Sequence, residues 1–253
     1  MNKYERLAGK LAAREQILGT NITLITSTAM IEQMNEEYLD YVLFDMEHGV
    51  FNNENLVPLL QVCRLIGLPS FVRVPDYRSH FIARCLDLGA DGVMLPRVET
   101  LEQVKLGVES MRFPMTGRKG RGGYCQMRPG ETLADFNKNR YLLIQIESPT
   151  GIENLPAMLD TYGDEIAAVV IGPYDLSTTM GIERQFENPA LIAAIQKIFD
   201  ICIERGKSVG IFCDTTAQAK RYREMGANFM WMCCDDQLVL HGLRGIIKPM
   251  TEE

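Results

Sequence analysis

The stretch Leu142-Leu143-Ile144-Gln145-Ile146-Glu147 and its successor Ala167-Ala168-Val169-Val170-Ile171-Gly172-Pro173-Tyr174-Asp175 decide the fold. Each is an almost unbroken apolar run that ends abruptly on polar groups, as parallel strands covered on both faces do. Runs of this kind recur along the chain, at 22–26, 41–44, 70–74, 92–95, 142–146, 167–171, 208–212 and 229–232. Between most of them the spacing turns helical, as in Leu101-x-x-Val104-x-x-Gly107-Val108-x-x-Met111. Repeated strand–helix units predict a parallel sheet, and eight with no linker predict a closed (β/α)8 TIM barrel, an α/β fold, as one domain over residues 1–253. An open doubly wound sheet is the alternative, but its Gly-x-Gly-x-x-Gly turn after the first strand is missing.

Length and composition agree with that reading. A chain of 253 residues suits one barrel, and 46% apolar with 23% charged residues is an ordinary globular profile. The net charge of −7 argues against nucleic acid or an anionic membrane as partner. Met1-Asn2-Lys3-Tyr4-Glu5-Arg6 does not read as a signal peptide, and no apolar run approaches a membrane span. Seven cysteines with no Cys-x-x-Cys pair read as isolated reduced thiols, so a cytoplasmic location is expected.

Barrel active sites are built where strands end. Asp45-Met46-Glu47-His48-Gly49 follows the second run, Arg73 lies near the end of the third, Gln145 and Glu147 end the fifth, and Gly172-Pro173-Tyr174-Asp175 follows the sixth. Charged groups far apart in sequence thus converge on one rim. Glu147 and Asp175, on adjacent strands, offer two carboxylates with open positions, the ligand style of Mg²⁺ or Mn²⁺. The competing reading is that each caps the next helix or pairs with an arginine. His48 is either a packed structural side chain or a base near neutrality. Arg73 inside an apolar strand demands an anion, from substrate or from a buried carboxylate.

Two further features bear on chemistry. Residues 113–140 form a long connection with five glycines and a short helix expected near 132–137, including the basic loop Gly117-Arg118-Lys119-Gly120-Arg121-Gly122-Gly123-Tyr124. Such a loop suits a lid, an anion clamp or a solvated excursion equally. None of the nine lysines follows an apolar run, which argues against Schiff-base chemistry.

Taken in order, Asp45-Met46-Glu47-His48-Gly49, Val72-Arg73-Val74-Pro75, Leu86-Asp87-Leu88-Gly89-Ala90, Gln145-Ile146-Glu147 and Ile171-Gly172-Pro173-Tyr174-Asp175-Leu176-Ser177 resemble the metal-dependent class II pyruvate aldolases of the 4-hydroxy-2-oxoheptanedioate aldolase family. The resemblance runs from about residue 15 to 245. It implies Glu147 and Asp175 as ligands of a divalent metal, Mg²⁺ or Mn²⁺ first and Co²⁺ or Zn²⁺ after them. It implies Arg73, Gln145 and the backbone of Gly172, Pro173, Tyr174 and Asp175 as the pyruvate site. His48 matches the acid/base histidine, Asp87 its orienting carboxylate, and Asp45 an acidic rim residue. The implied reaction is reversible cleavage of a 4-hydroxy-2-oxo acid to pyruvate and an aldehyde. The implied assembly is a trimer or hexamer with a C-terminal helix exchanged between subunits. Asn21-Ile22, Met46, Arg97 and the basic loop depart from the pattern and leave the acceptor aldehyde open. Relatives that decarboxylate, cleave dicarboxylates or build C–C bonds through the same enolate are the rival readings, followed by a silent metabolite-binding barrel.

Overall fold

A computed structural model describes residues 2–123 and 126–251, so Tyr124 of the basic loop lies outside the described residues. The eight strands are β1 (Ile17–Ile22), β2 (Tyr41–Asp45), β3 (Ser70–Arg73), β4 (Gly92–Leu95), β5 (Tyr141–Ile146), β6 (Ile166–Ile171), β7 (Ser208–Cys213) and β8 (Phe229–Cys234). They pair in sequence order, all parallel, and β8 closes on β1 to complete the barrel. Helices return the chain between strands and cover the sheet with Leu, Ile and Val side chains such as Leu59, Leu60, Leu155 and Ile195. The expected helix in the long connection is Leu133–Lys138, capped by Thr132.

One strand departs from expectation. The first lies at Ile17–Ile22, not 22–26. Its inward positions include Gly19 and Asn21, which break the apolar run that marks the other strands. Gly19 is required there, because a Cβ would come within 2.1 Å of the Tyr41 ring. That ring stacks on Phe229 at 4.7 Å and leans on Phe71 at 5.2 Å, filling the barrel's middle. Residues 23–25 form a loop after the strand instead. Its three N–H groups are taken by the carboxylate of Asp235, at 3.0, 2.9 and 2.7 Å.

The two ends of the barrel are finished differently. The helix Lys3–Ala13 lies across the N-terminal end, its fully buried Leu7 joining Ile17, Tyr41 and Leu43 in the interior cluster. At the opposite end the last helix, Asp235–Ile246, buries only Asp235. Val239, Leu243, Ile246 and Ile247 on it are 47–78% exposed.

Candidate active site

At the C-terminal rim the parallel register sets the side chains. Asp45 and Arg73 are direct neighbours across β2 and β3. Arg73 therefore donates to Asp45 through both Nε (2.9 Å) and Nη2 (2.5 Å), a two-point pairing that fixes the guanidinium plane. Burial alone would raise the Asp45 carboxyl. The arginine and the N–H groups of His48 and Glu47 outweigh it and hold Asp45 below the usual carboxylate range. Of the two anions that could justify a buried Arg73, the chain supplies one itself. The third nitrogen, Nη1, faces the site, 3.4 Å from Gln145 Oε1 and 3.4 Å from Glu47 Oε2.

Glu147 follows β5 and is 3% exposed. Its Oε2 accepts from Gln145 Nε2 at 2.5 Å and its Oε1 from the backbone N–H of Arg97 at 3.0 Å. Arg97 adopts a left-handed backbone (φ 47°), strained for a side chain of its size, in delivering that N–H. Room for the Glu147 carboxylate comes from Gly172, where a Cβ would lie 2.2 Å from Glu147 Oε2 and 2.6 Å from Gln145 Nε2. Burial first, then the charges of Asp175 and Glu47, push the Glu147 carboxyl up to about 8 against the pull of Arg73.

Asp175 stands in the first turn of the helix Pro173–Thr179, exposed and without a side-chain partner among the described residues. The first hydrogen bond of that helix runs from Leu176 N–H to the Gly172 carbonyl, so the amides of Tyr174 and Asp175 lie ahead of it. Neither Glu147 nor Asp175 caps a helix; Ser148 caps the one after β5. Two cavities, of about 500 and 610 Å³, meet at Asp175. The first also takes in Asp45, His48, Arg73, Gln145 and Tyr174, and the second Arg97 and Glu147.

The structure thus gathers Asp45, His48, Arg73, Gln145, Gly172, Pro173, Tyr174 and Asp175 around one cavity, with Glu147 beside it. It does not bring Asp87 to His48. Asp87 Oδ1 accepts from Lys119 Nζ at 2.5 Å and from Gln126 Nε2 at 2.6 Å, so Lys119 of the basic loop is a buried counter-ion. His48 is largely exposed and meets only Glu47, with Nε2 3.7 Å from Oε2.

Glu47 and Asp235 are site-building residues that sequence reasoning passed over. Glu47 lies between Arg73, His48 and Arg97 (3.0 Å), with burial raising its carboxyl above the usual range. Asp235 clamps the loop after β1. Both are acidic residues just past an apolar run, the signal that identified the others.

A divalent cation fits this arrangement on chemical grounds. A buried carboxylate made hard to ionise by two like-charged neighbours is relieved by a cation between them. Among the described residues no three His, Cys, Asp or Glu side chains form a closed ligand set. Two carboxylates would leave most coordination positions to water and substrate, as Mg²⁺ sites do.

Comparison with known proteins agrees with this geometry. The chain matches the HpcH/HpaI aldolase/citrate lyase family over residues 24–242. It is 32% identical over 233 residues to the 5-keto-4-deoxy-D-glucarate aldolase of Escherichia coli (strain K12), covering 90% of this chain and 89% of that one. The crystal structure of the HpcH/HpaI aldolase from Desulfitobacterium hafniense DCB-2 superposes with a TM-score of 0.90 at 26% identity, covering 98% and 97% of the two chains. Citrate synthase SbnG, at 21% identity and a TM-score of 0.84 over 99% and 98%, shares the fold alone. This chain belongs to the HpcH/HpaI aldolase/citrate lyase family and is an enzyme of the carbon–carbon lyase class.

Proposed function

We propose that the chain cleaves a 4-hydroxy-2-oxo acid reversibly to pyruvate and an aldehyde, with a divalent cation held by Glu147 and Asp175. The observation that carries this reading is Glu147, a buried carboxylate crowded by Asp175 and Glu47 beside the fixed arginine Arg73. A structural carboxylate would be paired; this one is set among its own kind. Mg²⁺ or Mn²⁺ at that point would act as a Lewis acid on the 2-oxo carbonyl.

The remaining roles fall to the chain. Arg73, locked by Asp45, presents Nη1 to the substrate oxygens and stabilises negative charge as it develops. Gln145 holds Glu147 and turns its carbonyl to Arg73. The amides of Tyr174 and Asp175, at a helix start, receive the pyruvate carboxylate. In cleavage the C3–C4 bond breaks, the C4 hydroxyl loses its proton to His48, and C3 regains a proton to become the pyruvate methyl.

The assembly belongs to the same reading. A groove of about 640 Å³ on the barrel's outer face is lined by Leu18, Met34, Leu39, Ala219 and Met232. The last helix leaves an apolar face uncovered beside it. Exchange of that helix between copies covers both, and supports a trimer or hexamer. Within one chain Asp87 is held away from His48, so an Asp87 that orients this histidine has to come from a second copy. Among the described residues no helix is long and apolar enough to cross a membrane. A cytoplasmic location completes the reading, supported by buried free thiols at Cys63, Cys85, Cys202, Cys213 and Cys233.

The test is exchange of the pyruvate methyl protons in D2O, followed by proton NMR with Mg²⁺, with Mn²⁺ and with chelator. Metal-dependent exchange lost in Glu147→Ala and Asp175→Ala is the expected result. No exchange with any metal would sink the pyruvate reading.

A further inference from the structure

Two buried polar atoms in the cavity above the barrel have no partner. Asn21, the inward residue near the end of β1, is 2% exposed, and its Oδ1 meets no donor among the described residues. Its Nδ2 reaches only Cys234 Sγ, at 3.4 Å. Turning the amide end for end would exchange the orphan, not remove it. On the adjacent strand β8, Trp231 is 3% exposed, and its indole N–H is equally without an acceptor. Both side chains line the cavity that holds Arg73, Gln145 and Asp175. The Arg73 guanidinium carbon lies 5.2 Å from the Trp231 ring centroid, so this wall adjoins the enolising end.

Buried polar atoms are normally paired, because an unpaired one forfeits its hydration without return. One unmet acceptor and one unmet donor on neighbouring strands suit a ligand group that both donates and accepts, namely a hydroxyl. In the reaction proposed above, Arg73, Gln145 and the Tyr174–Asp175 amides are committed to the pyruvate half. The Asn21–Trp231 wall is left for the other half.

Resting on that aldolase reading, we propose that Asn21 and Trp231 form a hydroxyl-reading subsite, and that the acceptor is a 2-hydroxyaldehyde, not a plain alkanal. A site whose buried polar groups await a hydroxyl discriminates strongly against the analogue that lacks it, because those groups then stay unpaired. Asn21 stands where the sequence departs from the family pattern, so this preference is a property of this chain's own residues.

The experiment is aldol addition of pyruvate to glycolaldehyde against acetaldehyde, and to glyceraldehyde against propionaldehyde, with the metal-loaded enzyme. The wild-type kcat/KM is expected to favour the hydroxylated aldehyde at least tenfold. Asn21→Leu should cut that ratio at least tenfold, through loss on the hydroxylated partner alone. Comparing ratios between proteins cancels the aldehydes' intrinsic reactivities. Trp231→Phe, which keeps the ring and removes only the N–H, should lower the ratio in the same direction. It also decides the matter if Asn21→Leu does not fold. A wild-type ratio near one, or an unchanged ratio in both variants, overturns the subsite. Pyruvate methyl exchange in the same wild-type preparation separates the two levels. Its absence removes the aldolase reading and this proposal with it, whereas exchange with an indifferent acceptor ratio removes this proposal only.

Discussion

Asn228 and Asn21 are both buried at ends of the barrel, yet they are used differently. Asn228, before β8 at the N-terminal end, accepts from Val209 N–H at 3.0 Å and donates to Ser208 Oγ and the Glu15 carbonyl. Asn21, at the opposite end, leaves one polar atom unmet. The acids repeat the contrast. Asp40, entering β2, is fully buried and takes Lys10, Arg6 and the N–H of Leu18. Asp175 has no side-chain partner among the described residues, and Glu147 is crowded by like charge. One end spends its polar groups on holding the barrel closed. The other leaves them for something that is not protein.

Breaking the contrast at Glu147 should have the largest effect. Glu147→Gln keeps the shape and removes the charge, so pyruvate methyl exchange should fall at least about 10³-fold, on the order of 4 kcal/mol of barrier. The urea midpoint of the chelated protein should hold or rise, since the lost carboxylate was a strained one. Normal exchange in this variant would take Glu147 out of the site. Gly172→Ala should follow, with about 10²-fold loss of exchange, because its Cβ displaces the Glu147 and Gln145 head groups. Wild-type exchange there would mean that the carboxylate can sit elsewhere and still work.

The opposite end should respond in stability only. Asp40→Ala should cost about 3 kcal/mol in urea unfolding, by stranding Lys10, Arg6 and a buried N–H. Exchange per folded molecule should be unchanged, and a large loss of it would erase the distinction between the two ends.

A smaller effect sharpens the contrast through pH. The folded Glu147 carboxyl, at about 8 against 4.5 unperturbed, binds its proton more tightly than the unfolded chain does. Its contribution therefore lowers stability progressively as pH rises between those values. Chelated wild type should lose a few kcal/mol relative to Glu147→Gln between pH 5 and 8, followed by urea unfolding. Excess Mg²⁺ or Mn²⁺ should restore it. Parallel pH profiles for the two proteins would contradict the crowding of Glu147.

These contrasts explain what the sequence could and could not show. Strands such as 92–95 and 142–146 were legible because a parallel strand buried on both faces has no polar residue to confuse its limits. β1 was misplaced because Gly19 yields its space to Tyr41 and Asn21 faces a ligand cavity; neither reads as strand. Glu147, Asp175 and Arg73 were legible because a charge at the end of an apolar run has few reasons to be there. The pairing of Asp87 with Lys119 was not, because it depends on where a long glycine-rich loop settles, and no local pattern fixes that. Glu47 was overshadowed by the histidine next to it, though three cationic groups meet it in space.

The missing side chain at Gly172 has a consequence for heredity. The atoms that a Cβ would strike there are the ends of two flexible side chains, so the barrel tolerates a replacement while the carboxylate does not. Every missense change at this codon adds a Cβ. A population of this gene should therefore show position 172 as almost free of viable variants wherever the activity is under selection. Proteins recovered with a substitution there should still express, fold and assemble while turning nothing over. Such alleles would be recessive silences, not unstable products, and a screen for soluble expression would miss all of them.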